Sequence, residues 1–299
     1  MIEKRTFGGI VADIIIWIIV GALALSCLMP LMNIVAISLS DNAAVSANLV
    51  NIFPIGFNIS SYQEIMGDKQ FWRSFGISVL RVVLGLSVNI TLLVLTAYPL
   101  SKSPKFFTGQ KVYMSLILFA MLFSGGLIPT YMVVKYTGLM DTIWALVLPG
   151  AVQVFNMLVV MNYMRSLPKE LEEAAYIDGA GHFQTLFNVI LPVCTPTLAT
   201  VTLFSFVGHW NSWYDGMIYM NTVDKYPLQT YLQTIVINPE AFFRNATNIS
   251  AELGNFLNLV SARTTNAAQL FLATIPILCV YPFLQKYFTT GLVIGSVKG

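Results

Sequence analysis

The residue types best suited to chemistry lie close together in Phe204-Ser205-Phe206-Val207-Gly208-His209-Trp210-Asn211-Ser212-Trp213-Tyr214-Asp215-Gly216. Indole rings offer flat apolar faces with an N–H donor, and Asn and Asp bind hydroxyls, a combination that suits a polyhydroxylated ring. Trp210, Asn211, Trp213 and Asp215 are therefore read as pathway or ligand contacts. A competing reading places the aromatic residues in an interfacial belt. His209 reads as a satisfied core or interface histidine. A second cluster, Glu170, Glu172, Glu173 and Asp178, is acidic without being catalytic, because nothing in the sequence buries these carboxylates or supplies a partner base. The three cysteines, Cys27, Cys194 and Cys279, lie far apart in apolar surroundings and read as small buried hydrophobes, with no metal or redox motif.

The acidic segment has its own local logic. Pro168 suits the start of a helix, where its missing N–H costs nothing. Glu170, Glu172 and Glu173 then favour the positive N-terminal end. Leu171, Ala174, Ala175 and Asp178 fall on one stripe at three- and four-residue spacing, and the Ala pair makes it shallow enough for close approach. Gly179 and Gly181 permit a sharp turn. A second helix over 182–190 should end before Pro192. Two short helices joined by a glycine hinge suit docking to a soluble partner.

The elements that position these residues follow from composition. Of 299 residues 56% are hydrophobic and only 10% are charged, against about 25% charged in soluble domains. With mean hydropathy of +0.72, a water-soluble globular protein is excluded, and a net charge of +2 gives no reason to expect nucleic acid. A crossing helix needs about 20 apolar residues, which predicts six spans near 13–37, 75–100, 112–134, 142–164, 194–220 and 264–286. With the N-terminus inside, the inner segments (1–12, 101–111, 165–192, 286–299) hold nine Lys or Arg in 65 residues. The outer ones (38–73, 135–141, 221–263) hold six in 86, which favours cytoplasmic termini. The first apolar run continues past Cys27 to Ile37, longer than the about 7–15 residues of a signal-peptide core, and reads as a spanning helix. Pro30, Pro99, Gly125-Gly126, Pro149-Gly150, Pro276 and Pro282 interrupt the spans, either as ordinary kinks or as bends around a translocation path. Arg81 is read as snorkelling to the outer headgroups rather than lining a cavity.

With the spans in place, Glu173-Ala174-Ala175, Gly179 six residues after Glu173, and Ile190-Leu191-Pro192 resemble the cytoplasmic EAA loop of ABC importer permeases. The fuller run Pro168-Lys169-Glu170-Leu171-Glu172-Glu173-Ala174-Ala175-Tyr176-Ile177-Asp178-Gly179-Ala180 is similar to the maltose-type oligosaccharide permeases in particular. The resemblance covers the loop 166–192 directly, between the fourth and fifth predicted spans, and the six-span layout extends it over the chain. It implies an all-α, polytopic membrane protein of the type I permease fold, a single transmembrane domain over 1–299. It implies that Glu173, Ala174, Ala175 and Gly179, with Asp178 beside them, form a coupling helix and hinge seated on an ATP-hydrolysing subunit. The implied partners are a second homologous permease, an ABC ATPase dimer, an extracellular sugar-binding protein, the oligosaccharide and membrane lipid. ATP and Mg would lie on the ATPase, since this chain lacks a GxxxxGK[ST] loop and is not itself an enzyme. The implied location is a bacterial cell membrane. The loop 221–263 resembles in position the segment that reaches the binding protein or caps the companion permease, with a short surface helix at Pro227–Gln233. A permease for another solute, such as peptide or polyamine, and an unrelated membrane channel or enzyme stay open at this point.

Overall fold

A computed structural model of the chain describes residues 7–104, 106–237, 263–283 and 285; among these every regular element is helical. The backbone divides into two compact units, one of 1–69 with 232–275 and one of 70–231 with 276–299.

In the first unit, α1 (Phe7–Ser38) is apolar on all sides and exposed over most of its length, with Trp17 and Ile18 standing free in the single chain and only its last turns, around Ala36 and Ser38, buried. Such a helix is stable only in hydrocarbon or against another apolar body, and 32 residues exceed the span of a bilayer. Two short helices, α2 (Asn42–Ser46) and α3 (Ser60–Gly67), follow it. Polar side chains tie this unit together: Asn33 donates to the carbonyl of Asn51 at 2.6 Å, Ser38 and Tyr62 share a hydroxyl pair at 2.8 Å, and Arg263 donates to Asn48.

The second unit is organised on α4 (Lys69–Ser101), the longest helix among the described residues. Its lower half presents Leu93, Val94, Ala97 and Leu100 at helical spacing to Met157, Val160, Met161 and Met164 of α8 (Val154–Ser166). Its upper half presents a stripe of a different kind: Ser74, Ser78, Arg81, Gly85 and Asn89 are all buried or tightly apposed. Polar and small residues at three- and four-residue steps on an apolar helix mark a face that receives backbone.

That backbone comes from interrupted spans. The predicted span 142–164 is not one helix: α7 (Ile143–Val147) ends before Pro149-Gly150, and α8 begins only at Val154. The carbonyls of Gly150 and Ala151, released there, accept from Asn89 Nδ2 at 3.1 and 3.2 Å. The span 112–134 is likewise split into α5 (Gln110–Leu122) and α6 (Leu127–Tyr136), bent by 115°. Gly126 at the bend adopts φ +83°, a region that favours glycine. The second helix of the acidic segment does not stop before Pro192. α10 (His182–Val193) runs through it, and its turns over Thr185–Ile190 widen to the π form. A wide turn just before a proline makes room for the ring that would otherwise meet a carbonyl of the preceding turn. The chain then bends 82° into α11 (Thr195–Asn211), followed by α12 (Tyr214–Tyr219) and α13 (Leu228–Ile237).

Three helices, α1, α4 and α14 (Arg263–Phe283), are each long and apolar enough to cross a membrane. The pairs α5/α6 and α10/α11 qualify together, so the described residues account for up to five crossings, where the composition suggested six. The difference is the broken stretch 142–164, whose halves are too short. Most of the predicted outer loop 221–263 and the end of the last predicted span lie outside the described residues.

A Cβ on Gly85 would lie 2.5 Å from Nε2 of the His209 ring, whereas Gly76 on the same helix has open space. Gly85→Ala is therefore expected to cost about 1–3 kcal/mol through overpacking, read as a lower thermal midpoint in detergent. Gly76→Ala should leave that midpoint unchanged or raise it.

Candidate functional site

At the junction of α11 and α12 the chain turns at Ser212 and Trp213, and the freed groups are gathered by one arginine. Arg81 Nη1 donates to the Ser212 carbonyl at 3.2 Å and to Asp215 Oδ1 at 3.1 Å; Nη2 donates to Asp215 Oδ2 and to the Leu146 carbonyl at 3.4 Å. Asp215 is held in place by the Ser212 hydroxyl at 2.8 Å and its neighbouring Gly216 N–H at 2.9 Å. Arg81 is 3% exposed, so it does not snorkel to the headgroups. A carboxylate within the bundle cancels its charge, and that makes burial tolerable. Asp215 is correspondingly the arginine's counter-ion, with part of its side chain still exposed.

About two turns further along α4, Asn89 Oδ1 lies 2.8 Å from His209 Nε2. Both Asn89 amide protons point at carbonyls, so Oδ1 accepts and Nε2 of His209 carries the proton. His209 is thus a satisfied core group. Around the same corner, the Thr230 hydroxyl donates to the Trp213 carbonyl at 2.8 Å, and Leu228 N–H donates to Ser78 Oγ at 2.7 Å. Leu228 and Tyr231 of α13 are buried, so the helix expected at the surface is packed instead.

The four residues singled out at this site fall into two groups. Trp210 is 2% exposed, its ring edge-to-face with Phe75 and parallel to Phe206, so it offers no open face in this arrangement. Asn211 and Trp213 are exposed at the bend, beside Asp215.

The acidic segment forms a hinged pair. The first-turn acids of α9 (Glu170–Ile177) are Glu170, Glu172 and Glu173. Ala175 is buried, while Glu173, Ala174, Ile177 and Asp178 are exposed. Gly179 at φ +81° closes the helix: Ala180 N–H reaches back to the Ala175 carbonyl at 2.9 Å and Gly179 N–H to that of Tyr176 at 3.1 Å. Beyond the hinge Leu186 and Ile190 of α10 are rooted in the core with α8 and α4. Tyr176 OH and His182 Nδ1, 3.1 Å apart, bridge the two arms. At the opposite end of this unit, Lys225 and the Asn221 N–H hold the Asp141 carboxyl below its ordinary range.

Arg81, Asn89 and Lys102 escaped the reading of the residue types as site candidates. The available signal was the 74–78–81–85–89 stripe, which is legible as a polar face but does not say what it meets. Breaking a buried pair by removing one partner costs about 3–5 kcal/mol, and the partial exposure of Asp215 places this pair near the lower end. Arg81→Leu and Asp215→Leu should each destabilise the protein in detergent unfolding. The double variant should recover much of the loss, because no charge is stranded.

With this geometry in view, comparison with known proteins is direct. Residues 105–214 match the family described as binding-protein-dependent transport system inner membrane component. The chain is similar to Protein LplC of Bacillus subtilis (strain 168), 37% identical over 99% of this chain and 97% of that protein. It is also similar to the polygalacturonan/rhamnogalacturonan transport system permease protein YtcP of the same organism, 36% identical over 96% of this chain and 98% of that one. A chain in the crystal structure of a bacterial ABC transporter involved in the import of the acidic polysaccharide alginate superposes with a TM-score of 0.84 at 30% identity, covering 96% and 99% of the two chains. This chain belongs to the binding-protein-dependent transport inner membrane components: it is a multi-pass permease subunit of an ABC transporter in a cell membrane, working with a separate ATPase and a substrate-binding protein.

Proposed function

We propose that the chain forms one half of an oligosaccharide import channel, paired with a second homologous permease and oriented with both termini in the cytoplasm. The observation that carries the coupling role is the hinged pair α9–Gly179–α10. One arm is rooted in the core through Leu186 and Ile190, and the other displays Glu173, Ala174 and Asp178 on an exposed, shallow surface. On this reading a cleft of the ATPase takes the exposed face of that arm, with the buried Ala175 packing the arm against its own bundle and Gly179 letting it pivot. ATP and Mg act on the ATPase, and this chain contributes no catalytic group.

The solute passes by the bend at 211–215. Asn211 and Trp213 supply an amide and an indole edge to hydroxylated rings, Asp215 and Arg81 fix the bend, and Trp210 holds it from behind through Phe75 and Phe206. The substrates for which two similar proteins are named, polygalacturonan/rhamnogalacturonan and alginate, support an oligosaccharide and make uronate-containing fragments the first to test.

In proteoliposomes carrying the full complex and its binding protein, oligogalacturonate fragments or neutral oligosaccharides should stimulate ATP hydrolysis and enter the lumen. Stimulation by peptides or polyamines alone would contradict the assignment. Gly179→Pro and Glu173→Lys should reduce uptake by about tenfold or more at retained hydrolysis, within the usual range of coupling energies. Asn211→Ala and Trp213→Ala should lower uptake without loss of the ATPase from the purified complex; Trp210→Ala should lower thermal stability as well.

A further inference from the structure

Among the described residues, the two ion pairs that are largely withdrawn from solvent sit at separate levels of α4, one within it and one directly past its end. Arg81 of α4 holds Asp215 at the bend, and Lys102, directly after the last turn of α4, holds Glu172 in the first turn of α9. The Lys102 and Glu172 side chains are only 16% and 24% exposed, and Lys102 Nζ also lies 4.0 Å from the centre of the Tyr98 ring. Twenty-one residues of helix separate the two lysine and arginine positions, about 31 Å at 1.5 Å per residue.

We propose that Lys102 is a positioning residue for transport, the joint through which α9 moves α4 and, through α4, the Arg81–Asp215 bend at the solute pathway. This rests on the reading of 166–192 as the ATPase-facing loop. Three observations carry it. First, α9 has eight residues and buries only Ala175 fully, so its apolar grip on the bundle is small and Glu172 is its charged anchor. Second, α4 runs as one helix from Lys69 to Ser101, with Pro99 in its last turn, while the chain breaks between α5 and α6, between α7 and α8, and between α10 and α11. A displacement is carried along a single helix, even one with a proline in its last turn, better than across a bend of 82° or 115°. Third, the joint borders a largely apolar groove of about 270 Å³ between Tyr98, Pro99, Lys102, His182 and Phe183, which leaves α4 and the start of α10 room to shift against each other. An ion pair keeps its attraction over such a shift better than a close-packed apolar contact does, since Coulomb energy falls slowly with distance.

The test uses the assembled transporter with its ATPase and binding protein in proteoliposomes, comparing Lys102→Glu, Glu172→Lys and the exchanged pair carrying both changes. Lys111→Glu, an exposed lysine early in α5, serves as the charge control. Solute moved per ATP hydrolysed should fall by about tenfold in each single variant, with ATPase still co-purifying, and return to within about twofold of wild type in the exchanged pair. Wild-type ratios in both single variants, or an exchanged pair as poor as the singles, would overturn the proposal. Should a charge reversal prevent folding, the near-isosteric Glu172→Gln decides by the same ratio: a loss supports the joint and a wild-type value contradicts it. A wild-type complex that takes up no oligosaccharide would count against the proposed substrate, not the joint. The joint is then read in the same variants from stimulation of hydrolysis by the binding protein.

Discussion

Hydrocarbon cannot hydrogen-bond a peptide group, so every interruption of a helix at membrane depth must be repaired by the protein itself. In this chain the repair is concentrated on α4. Asn89 takes the carbonyls released where Pro149-Gly150 ends α7, and Arg81 takes those of Leu146 and Ser212. Without the stripe on α4 neither broken stretch would be stable in an apolar medium. With it, the chain can carry irregular, polar backbone along a path that a bundle of straight helices would seal.

The arginine is the expensive part of this arrangement. A central charge on a spanning helix costs about 2.5–3.5 kcal/mol on insertion scales, and a buried pair does not by itself add stability. What it provides is directionality: a guanidinium with donors in a fixed plane locks three separate segments, α4, α7 and the 211–215 bend, into one register. Pairing of Arg81 with Asp215 also leaves Asn211 and Trp213 exposed next to a part-exposed carboxylate, the arrangement proposed above to meet a hydroxylated solute.

Much of this was legible in the residues, and the rest was not for a definable reason. Signals that act within one turn are readable: Pro149-Gly150 marks the break, Gly179 the left-handed hinge, and Glu170–Glu173 the start of α9. Pairings between distant segments are not, since Arg81 and Asp215 are 134 residues apart and Lys102 and Glu172 are 70 apart. Periodicity says which face of a helix is polar, but the neighbour and its register depend on packing. Arg81 therefore looked like a snorkelling residue until its carboxylate was found. Trp210 illustrates the converse. Its type suits ligand contact, yet its ring fills the core between Phe75 and Phe206. Pro192 was misleading because a π turn absorbs it.

The central claim is that motion of an external ATPase enters this chain at α9. It is tested most directly by cross-linking within the assembled complex. Cys27 and Cys279 are exposed rather than buried as their surroundings in the sequence suggested. With Cys27, Cys194 and Cys279 therefore replaced by Ser, a photoreactive maleimide placed at Ala174→Cys, exposed on α9, should capture the ATPase subunit, with a yield that changes when ATP is bound. The same probe at Val223→Cys, near the opposite end of that unit, should not. Capture of the ATPase from Val223→Cys, with none from Ala174→Cys, would reverse the orientation and contradict the account.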